Sequence, residues 1–213
     1  YWAARNSLTS HGEEEKIALP PEENDMTEVS ATAFKRLMDR VDTLEAESEI
    51  RRIQTRYMFL CDTPMPEHGI ENDEQRISQI MALYTEDAVG EGVGEYYDGQ
   101  FGCLEGATAI RRHFENFWGQ KKDPQLLLNV HYLTSEQIHV KGNTATGQWV
   151  HCQPWIFSDG SSLLRSSRLN NAFRKQDDGR WLITRTRTEN VFVAPLKEGW
   201  ATDFPAASVL MKP

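Results

Sequence analysis

Apolar residues recur at helical spacing through the first half of the chain and alternate with polar ones in the second. Ile50, Ile53, Tyr57, Leu60 and Cys61 share one helical face, and Pro64 and Pro66 cannot continue a helix, so Asp62 is predicted at or just past its last turn. Upstream, Ser30 is a suitable N-cap for a helix with Phe34, Leu37, Met38, Val41 and Leu44 on one narrow stripe, continuous with the next helix or broken slightly near Ser48. So short a stripe predicts a helix docked on the domain or on a neighbouring subunit, not a free coiled coil. Gln75 to Tyr84 reads as a short helix with Ile77, Ile80, Met81 and Tyr84 inward, and Ala107 to Trp118 as a further helix burying Ile110, Phe114, Phe117 and Trp118 and stopped by Gly119. The glycines at 90, 92, 94, 99, 102 and 106, around Tyr96-Tyr97-Asp98, predict a hairpin and loop.

From Leu126 the period is two. Leu126 to Val140, Thr144 to Phe157, Ser161 to Lys175 and Trp181 to Val193 have strand length and are separated by Lys-Gly-Asn, Ser-Asp-Gly and Asp-Asp-Gly turn signals. Helices first and strands after predict an α+β fold. Three helices on a strongly bent, mostly antiparallel sheet form a single cone-shaped domain with an N-terminal helical extension, and its open end is a natural small-molecule cavity. The chain divides into an acidic arm and helix over 1–47, the cone over 48–195 and a tail over 196–213.

Charge and composition narrow the partners. The net charge of −9, with basic residues scattered among acids, argues against nucleic acid, because phosphate binding needs a clustered Lys/Arg footprint. Part of that charge is local: His11 to Glu28 carries seven acids around Pro20-Pro21 and reads as a solvated arm. Cys61, Cys103 and Cys152 are an odd number without metal-ligand spacing, which suggests neither a disulfide framework nor a metal site, and makes a reducing compartment, the cytoplasm, the expectation. No apolar run reaches the roughly 18 residues of a membrane span. Residues 1–6 do not build a long apolar leader, although the chain starts at Tyr1 and a removed export segment stays open.

Among residues that carry chemistry, Asp62 is either a turn residue before Pro64 or a proton-handling carboxylate. At a helix C-terminus a carboxylate opposes the dipole, at about 0.3–1 kcal/mol. Trp118, Trp149 and Trp155 are core packing or a stacking surface for a ring. His151 shares strand parity with Trp149, Gln153 and Trp155, so this face lines the pocket if it points inward and meets a partner subunit if it does not. Arg168, Arg185 and Arg187 lie in strands, where a buried arginine must be paired, and one of them, Arg187 foremost, is a candidate for holding a phenolate or carboxylate. His113 is placed on a helix surface, and His11 and His68 in loops. No Ser/His/Asp order, P-loop or dinucleotide fingerprint occurs, and the Gly90 to Gly94 run is not followed by a predicted helix as a phosphate cradle would be. No cofactor is called for.

Several segments, in their order and spacing, resemble the SnoaL-like branch of the nuclear transport factor 2-like superfamily over roughly 49–193. They are Ile53-Gln54-Thr55-Arg56-Tyr57 with Asp62, Met81 to Ala88, Leu104-Glu105-Gly106 before Ile110, His131-Tyr132-Leu133, Ile138 to Ala145, and Asp178 to Ile183. The resemblance implies an α+β cone, frequent homo-oligomers including trimers, and cofactor-free lyases, cyclases and isomerases of hydrophobic ring compounds. Scytalone dehydratase, bile-acid 7α-dehydratase and γ-formaldehyde lyases of lignin-derived dimers are similar in this sense. It also implies that Tyr57, Asp62 and His131 are the catalytic tyrosine, aspartate and histidine. Two departures stand out. The stretch from Asp62 to Gln75, with Pro64, Pro66, His68 and Gly69, is long enough for a lid. The acidic strand residue that pairs with the histidine in bile-acid dehydratase-like members is replaced here by His151 or Gln153.

An imidazole that takes a proton, a carboxylate that fixes its tautomer and a phenol that donates to a departing oxygen suit elimination or retro-aldol cleavage. The expectation is a cofactor-independent lyase for a hydroxylated hydrophobic aromatic or polycyclic molecule, with Trp118, His151, Gln153 and Arg187 as substrate-binding residues. Isomerase and cyclase chemistry use the same groups, and a non-catalytic binding or assembly module is the alternative on this fold. Large apolar residues on the sheet's outer face predict a homodimer or homotrimer.

Overall fold

The computed structural model describes residues 23–64 and 69–197, with side chains from Ser30 onward. The acidic arm over 11–22, Pro66 and His68 of the expected lid, and the tail from 198 onward lie outside the described residues. Two units are distinguished, residues 1–40 and 41–213. In the first, residues 23–40 are helical and Phe34, Leu37 and Met38 are exposed. Ser30 is not a cap, because helix α1 runs from Glu23 to Cys61. With no Gly or Pro anywhere in that span, nothing stops the helix at the predicted start or near Ser48.

In the second unit α1 buries Ile50, Ile53 and Leu60 and ends one residue before Asp62. Helix α2 (Asp73–Met81) is capped by Asn72, whose side chain accepts from the Gln75 amide, and buries Ile77 and Ile80. It stops short of Tyr84, which instead opens strand β1 (Tyr84–Val93) with its ring still in the core. The expected hairpin follows. A one-turn helix α3 (Glu95–Asp98) connects β1 to β2 (Cys103–Glu105), which pairs back antiparallel. The glycine run is therefore followed by a helix after all, although by one turn only. Helix α4 (Ala107–Trp118) buries Ile110 and Phe114.

The sheet also contains β3 (Leu126–Asn129), β4 (Tyr132–Lys141), β5 (Thr144–Phe157), β6 (Ser162–Lys175) and β7 (Trp181–Pro195). Its order is β2-β1-β7-β6-β5-β3, with β4 also on β5. The β5-β6-β7 meander stands as the alternation predicts, but β1 joins β7 in parallel, so the strongly curled sheet is mixed. The predicted strand Leu126 to Val140 is broken at Val130-His131. β3 pairs with the C-terminal end of β5 and β4 with the remainder, and Asn129, the last residue of β3, pairs with Trp155 on one side and bridges Thr63 just beyond α1 on the other. One hydrophobic cluster joins α1, α2 and α4 to the inner face of β5, β6 and β7 through Ile50, Ile80, Phe114, Trp149, Phe173 and Ile183. The domain is thus an α+β cone. Among the described residues no helix is long and apolar enough to cross a membrane.

Candidate active site

The bridge between Thr63 and Asn129 builds the centre of the site. The two residues exchange backbone hydrogen bonds, Thr63 N to Asn129 O and Asn129 N to Thr63 O, both at 2.8 Å. This clamps the end of α1 against the break between β3 and β4 and sets Asp62 beside His131. Asp62 Oδ1 accepts from the His131 backbone amide at 3.0 Å and lies 2.7 Å from His131 Nδ1. Asp62 is only 6% exposed, so two hydrogen bonds converge on one oxygen of a carboxylate shielded from water.

The direction of each proton in this network follows from a main-chain anchor. The Cys61 carbonyl can only accept, so Asn129 Nδ2 donates to it, at 3.3 Å, and Asn129 Oδ1 is left as an acceptor. Gln153 Nε2, 3.0 Å from that oxygen, must donate to it, and its other proton faces His131 Nε2 at 2.6 Å. An imidazole nitrogen that accepts from an amide N–H carries a lone pair, so the proton of neutral His131 is on Nδ1, directed at Asp62. The chain Cys61, Asn129, Gln153, His131, Asp62 thereby fixes one tautomer.

Around this dyad lies a cavity of about 160 Å³. Tyr57, Tyr84, Phe114 and Trp118 come from the helices and β1, with Trp118 stacked on Phe114 at 5.3 Å and 12° between planes. The concave side is made by His151, Gln153 and Trp155 of β5, Arg165, Leu169 and Asn171 of β6, and Thr186 and Thr188 of β7. The inward face of β5 is the one that carries Trp149, His151 and Gln153, each under 5% exposed. Trp149 lies deeper, in the core cluster.

Burial governs the titration of the lining groups. The Tyr57 hydroxyl is held well above its ordinary value, by burial first and then by its hydrogen-bonded neighbours Tyr84 and Cys61, and burial pushes the Cys61 thiol up to about 12. Tyr57 is therefore a phenol and never a phenolate at neutral pH. His151 is pushed down to about 3, mainly by burial and further by His131 and Arg165, and is neutral. Its ring lies 5.8 Å from that of His131.

Of the residues expected at a site, Tyr57, Asp62, His131, Trp118, His151 and Gln153 are brought together. Arg187 is not. On this part of β7 Thr186 and Thr188 face the cavity, so Arg187 points to the other side, where it donates to Glu189 at 2.7 Å and lies 3.6 Å from Glu91. Arg185 pairs with Glu91 and Arg168 is exposed. His113 is half-buried against Phe101 and lines the cavity, with its pKa lowered by burial, and is not a surface residue. Sequence reasoning passed over Arg165, Tyr97 and Asn129. Strand parity was a usable signal for Arg165, which alternates in phase with the apolar Leu169 and Phe173.

Solved structures of similar fold include a protein provisionally named an aromatic ring hydroxylase from Novosphingobium aromaticivorans DSM, 20% identical, with a TM-score of 0.56 over 72% of this chain and 94% of that one. A hexachlorocyclohexane dehydrochlorinase, LinA type 2, is 15% identical, with a TM-score of 0.58 over 74% of this chain and 93% of that one. A protein provisionally named a scytalone dehydratase from Novosphingobium aromaticivorans DSM 12444 is 14% identical, with a TM-score of 0.55 over 73% of this chain and 90% of that one. At these identities the likeness is one of fold. No curated protein matches the chain in sequence. The profile of the SnoaL-like domain matches residues 42–187, most of the chain and the dyad with its surrounding network, and the protein belongs to the SnoaL-like family of the nuclear transport factor 2-like superfamily.

Proposed function

We propose that the protein is a cofactor-independent lyase that eliminates a leaving group from a small ring compound, with His131 as general base. The observation that carries this reading is the dyad: a buried carboxylate holds His131 Nδ1–H at 2.7 Å, so the basic lone pair is on Nε2. A substrate displaces the Gln153 amide from Nε2 and presents a C–H there. His131 takes the proton, the C–H electron pair becomes the new double bond, and the leaving group departs with its bonding electrons. Asp62 stabilises the imidazolium, which returns its proton to a departing hydroxide as water. Tyr57, kept protonated by burial, donates to the departing oxygen or to a carbonyl that gathers charge.

A cavity of about 150 Å³ accommodates a benzene-sized molecule, so the 160 Å³ beside the dyad fits one substituted ring. LinA and the scytalone dehydratase-like protein are named for eliminations, which agrees with this class of reaction.

A non-catalytic binding module is favoured by one observation. Gln153 already satisfies His131 Nε2 at 2.6 Å, which closes the network without a ligand. Turnover separates the two readings. A panel of monocyclic alcohols and halides is screened by the ultraviolet absorbance of the new double bond, with the wild type and His131→Ala side by side. The lyase reading requires a product that His131→Ala forms at least about 100-fold more slowly. Equal rates in the two proteins refute it.

A further inference from the structure

The part of the cavity wall formed by β6 contains a buried cation with no anion among the described residues. Arg165 is 4% exposed. Among the described residues no carboxylate lies within ion-pairing distance of it, whereas Arg174, Arg185 and Arg187 on the outside of the sheet each have one. Its only hydrogen-bond partner among them is neutral: Nη2 donates to Tyr97 Oη at 2.8 Å, and that hydroxyl lies 2.9 Å from Ser167 Oγ. Its Nε–H has no acceptor. The guanidinium lies over aromatic rings, 4.3 Å from the centre of Trp155, 4.6 Å from that of Tyr96 and 5.4 Å from that of Tyr97.

Burying an unpaired charge costs more than cation–π contacts return. The remainder is a standing attraction for an anion. Other donors of the lining share this condition: the indole N–H groups of Trp118 and Trp155 have no acceptor.

Register places the cation next to the base. Arg165 lies directly opposite Gln153 on the paired strands β5 and β6, and directly opposed side chains leave the sheet on the same face about 5 Å apart. Gln153 is the residue that covers His131 Nε2. His151, neutral by burial, adjoins both.

We propose that Arg165 is the anion-binding residue of this cavity and that the substrate is a one-ring compound bearing a carboxylate. The carboxylate sits on the Arg165 guanidinium, whose planar fork matches its two oxygens, and the ring extends between Trp118 and Trp155 towards His131. Which carbon reacts rests on the elimination reading above; anion binding does not.

The test uses benzoate and its neutral isostere benzamide, each titrated calorimetrically at pH 7 into the wild type, Arg165→Met, Arg165→Lys and His131→Ala. Benzoate is expected to bind the wild type about 10- to 100-fold more tightly than benzamide, as a charge-assisted contact shielded from water gives. Arg165→Met is expected to lose that preference while binding benzamide as before, and Arg165→Lys to keep part of it. Because a buried ion replaced by an apolar residue of similar length is commonly neutral or stabilising, Arg165→Met is expected to fold, which circular dichroism verifies. Benzoate binding no tighter than benzamide in the wild type, or an undiminished preference in Arg165→Met, overturns the proposal. The His131→Ala arm keeps the two readings apart. It retains the benzoate preference if anion binding is right, whether or not its turnover survives; a normal His131→Ala rate on any substrate refutes the base and leaves Arg165 untouched.

Discussion

Replacing Asp62 by Asn changes one atom in the network and removes its charge. The carboxylate accepts twice on one oxygen, from His131 N and Nδ1–H. The single oxygen of an asparagine can accept both, and the Gln153 amide donor at 2.6 Å from Nε2 keeps the imidazole proton on Nδ1. The ground state loses little, because a charge-assisted hydrogen bond becomes a neutral one, about 1 kcal/mol, and the cost of burying the carboxylate disappears with it. The transition state loses more. Two unit charges about 4 Å apart attract by about 4 kcal/mol at an effective dielectric constant of 20, which is close to 10³ in rate. Asp62→Asn is therefore expected to lower kcat by about 10²–10⁴ while unfolding within about 2 kcal/mol of the wild type in urea. Nitrogen NMR of the His131 ring supplies a readout that needs no substrate: Nδ1 is the protonated nitrogen of the neutral ring in the wild type and in Asp62→Asn. Turnover of Asp62→Asn within about threefold of wild type would refute the reasoning.

Tyr57→Phe, which removes a hydroxyl that burial keeps protonated, is expected to reduce kcat by about 10²-fold with KM little changed, measured on the same substrate. His151 is depressed to about 3 by burial, so the unfolded chain binds a proton there that the folded one refuses. Stability from this group is complete above about pH 6.5 and falls by about 1.4 kcal/mol per pH unit as the pH drops from there towards 3. Urea unfolding from pH 7 to 4 is expected to show a shallower loss in His151→Gln, and parallel curves would contradict this. Gly92→Ala places a methyl group 2.6 Å from Tyr97 Cβ and 2.8 Å from the Phe101 ring, and is expected to destabilise by about 1–3 kcal/mol in chemical denaturation. Tyr132, Cys152, Ser166 and Phe192 stand in one cross-strand row on the outer face, where Tyr132 is 54% and Phe192 41% exposed. Light scattering at micromolar concentration is expected to give a dimer or trimer that Phe192→Asp weakens, and a monomeric wild type would count against it.

Local chemistry wrote the legible parts of this fold. Pro64 ends α1 where Asp62 is needed, and the alternation of Trp149, His151, Gln153 and Trp155 marks the inner face of β5. What escaped sequence reasoning is non-local. The parallel pairing of β1 with β7 joins segments about a hundred residues apart, and the glycines that let β1 pass close to Tyr97 and Phe101 make it read as a loop. Beside the break at Val130-His131, Asn129 bridges Thr63 beyond α1, an interaction with no sequence periodicity. Parity with Leu169 and Phe173 is the one signal for Arg165, and it is weakened because the same face of β6 carries the buried polar residues Ser167 and Asn171, the latter bonded to Gln54. Arg187 failed as a site residue for the same reason in reverse: its inward neighbours Thr186 and Thr188 are no more apolar in appearance than an exposed face.

The central claim is that His131 Nε2, held as a base by Asp62, removes a proton from carbon. The most direct measurement is the exchange of that proton: substrate deuterated at the carbon that loses hydrogen is turned over by the wild type and by His131→Ala under single-turnover conditions. The account predicts a primary isotope effect in the wild type and a loss of at least about 100-fold in the rate with His131→Ala. A rate in His131→Ala equal to that of the wild type, with the isotope effect intact, would contradict it.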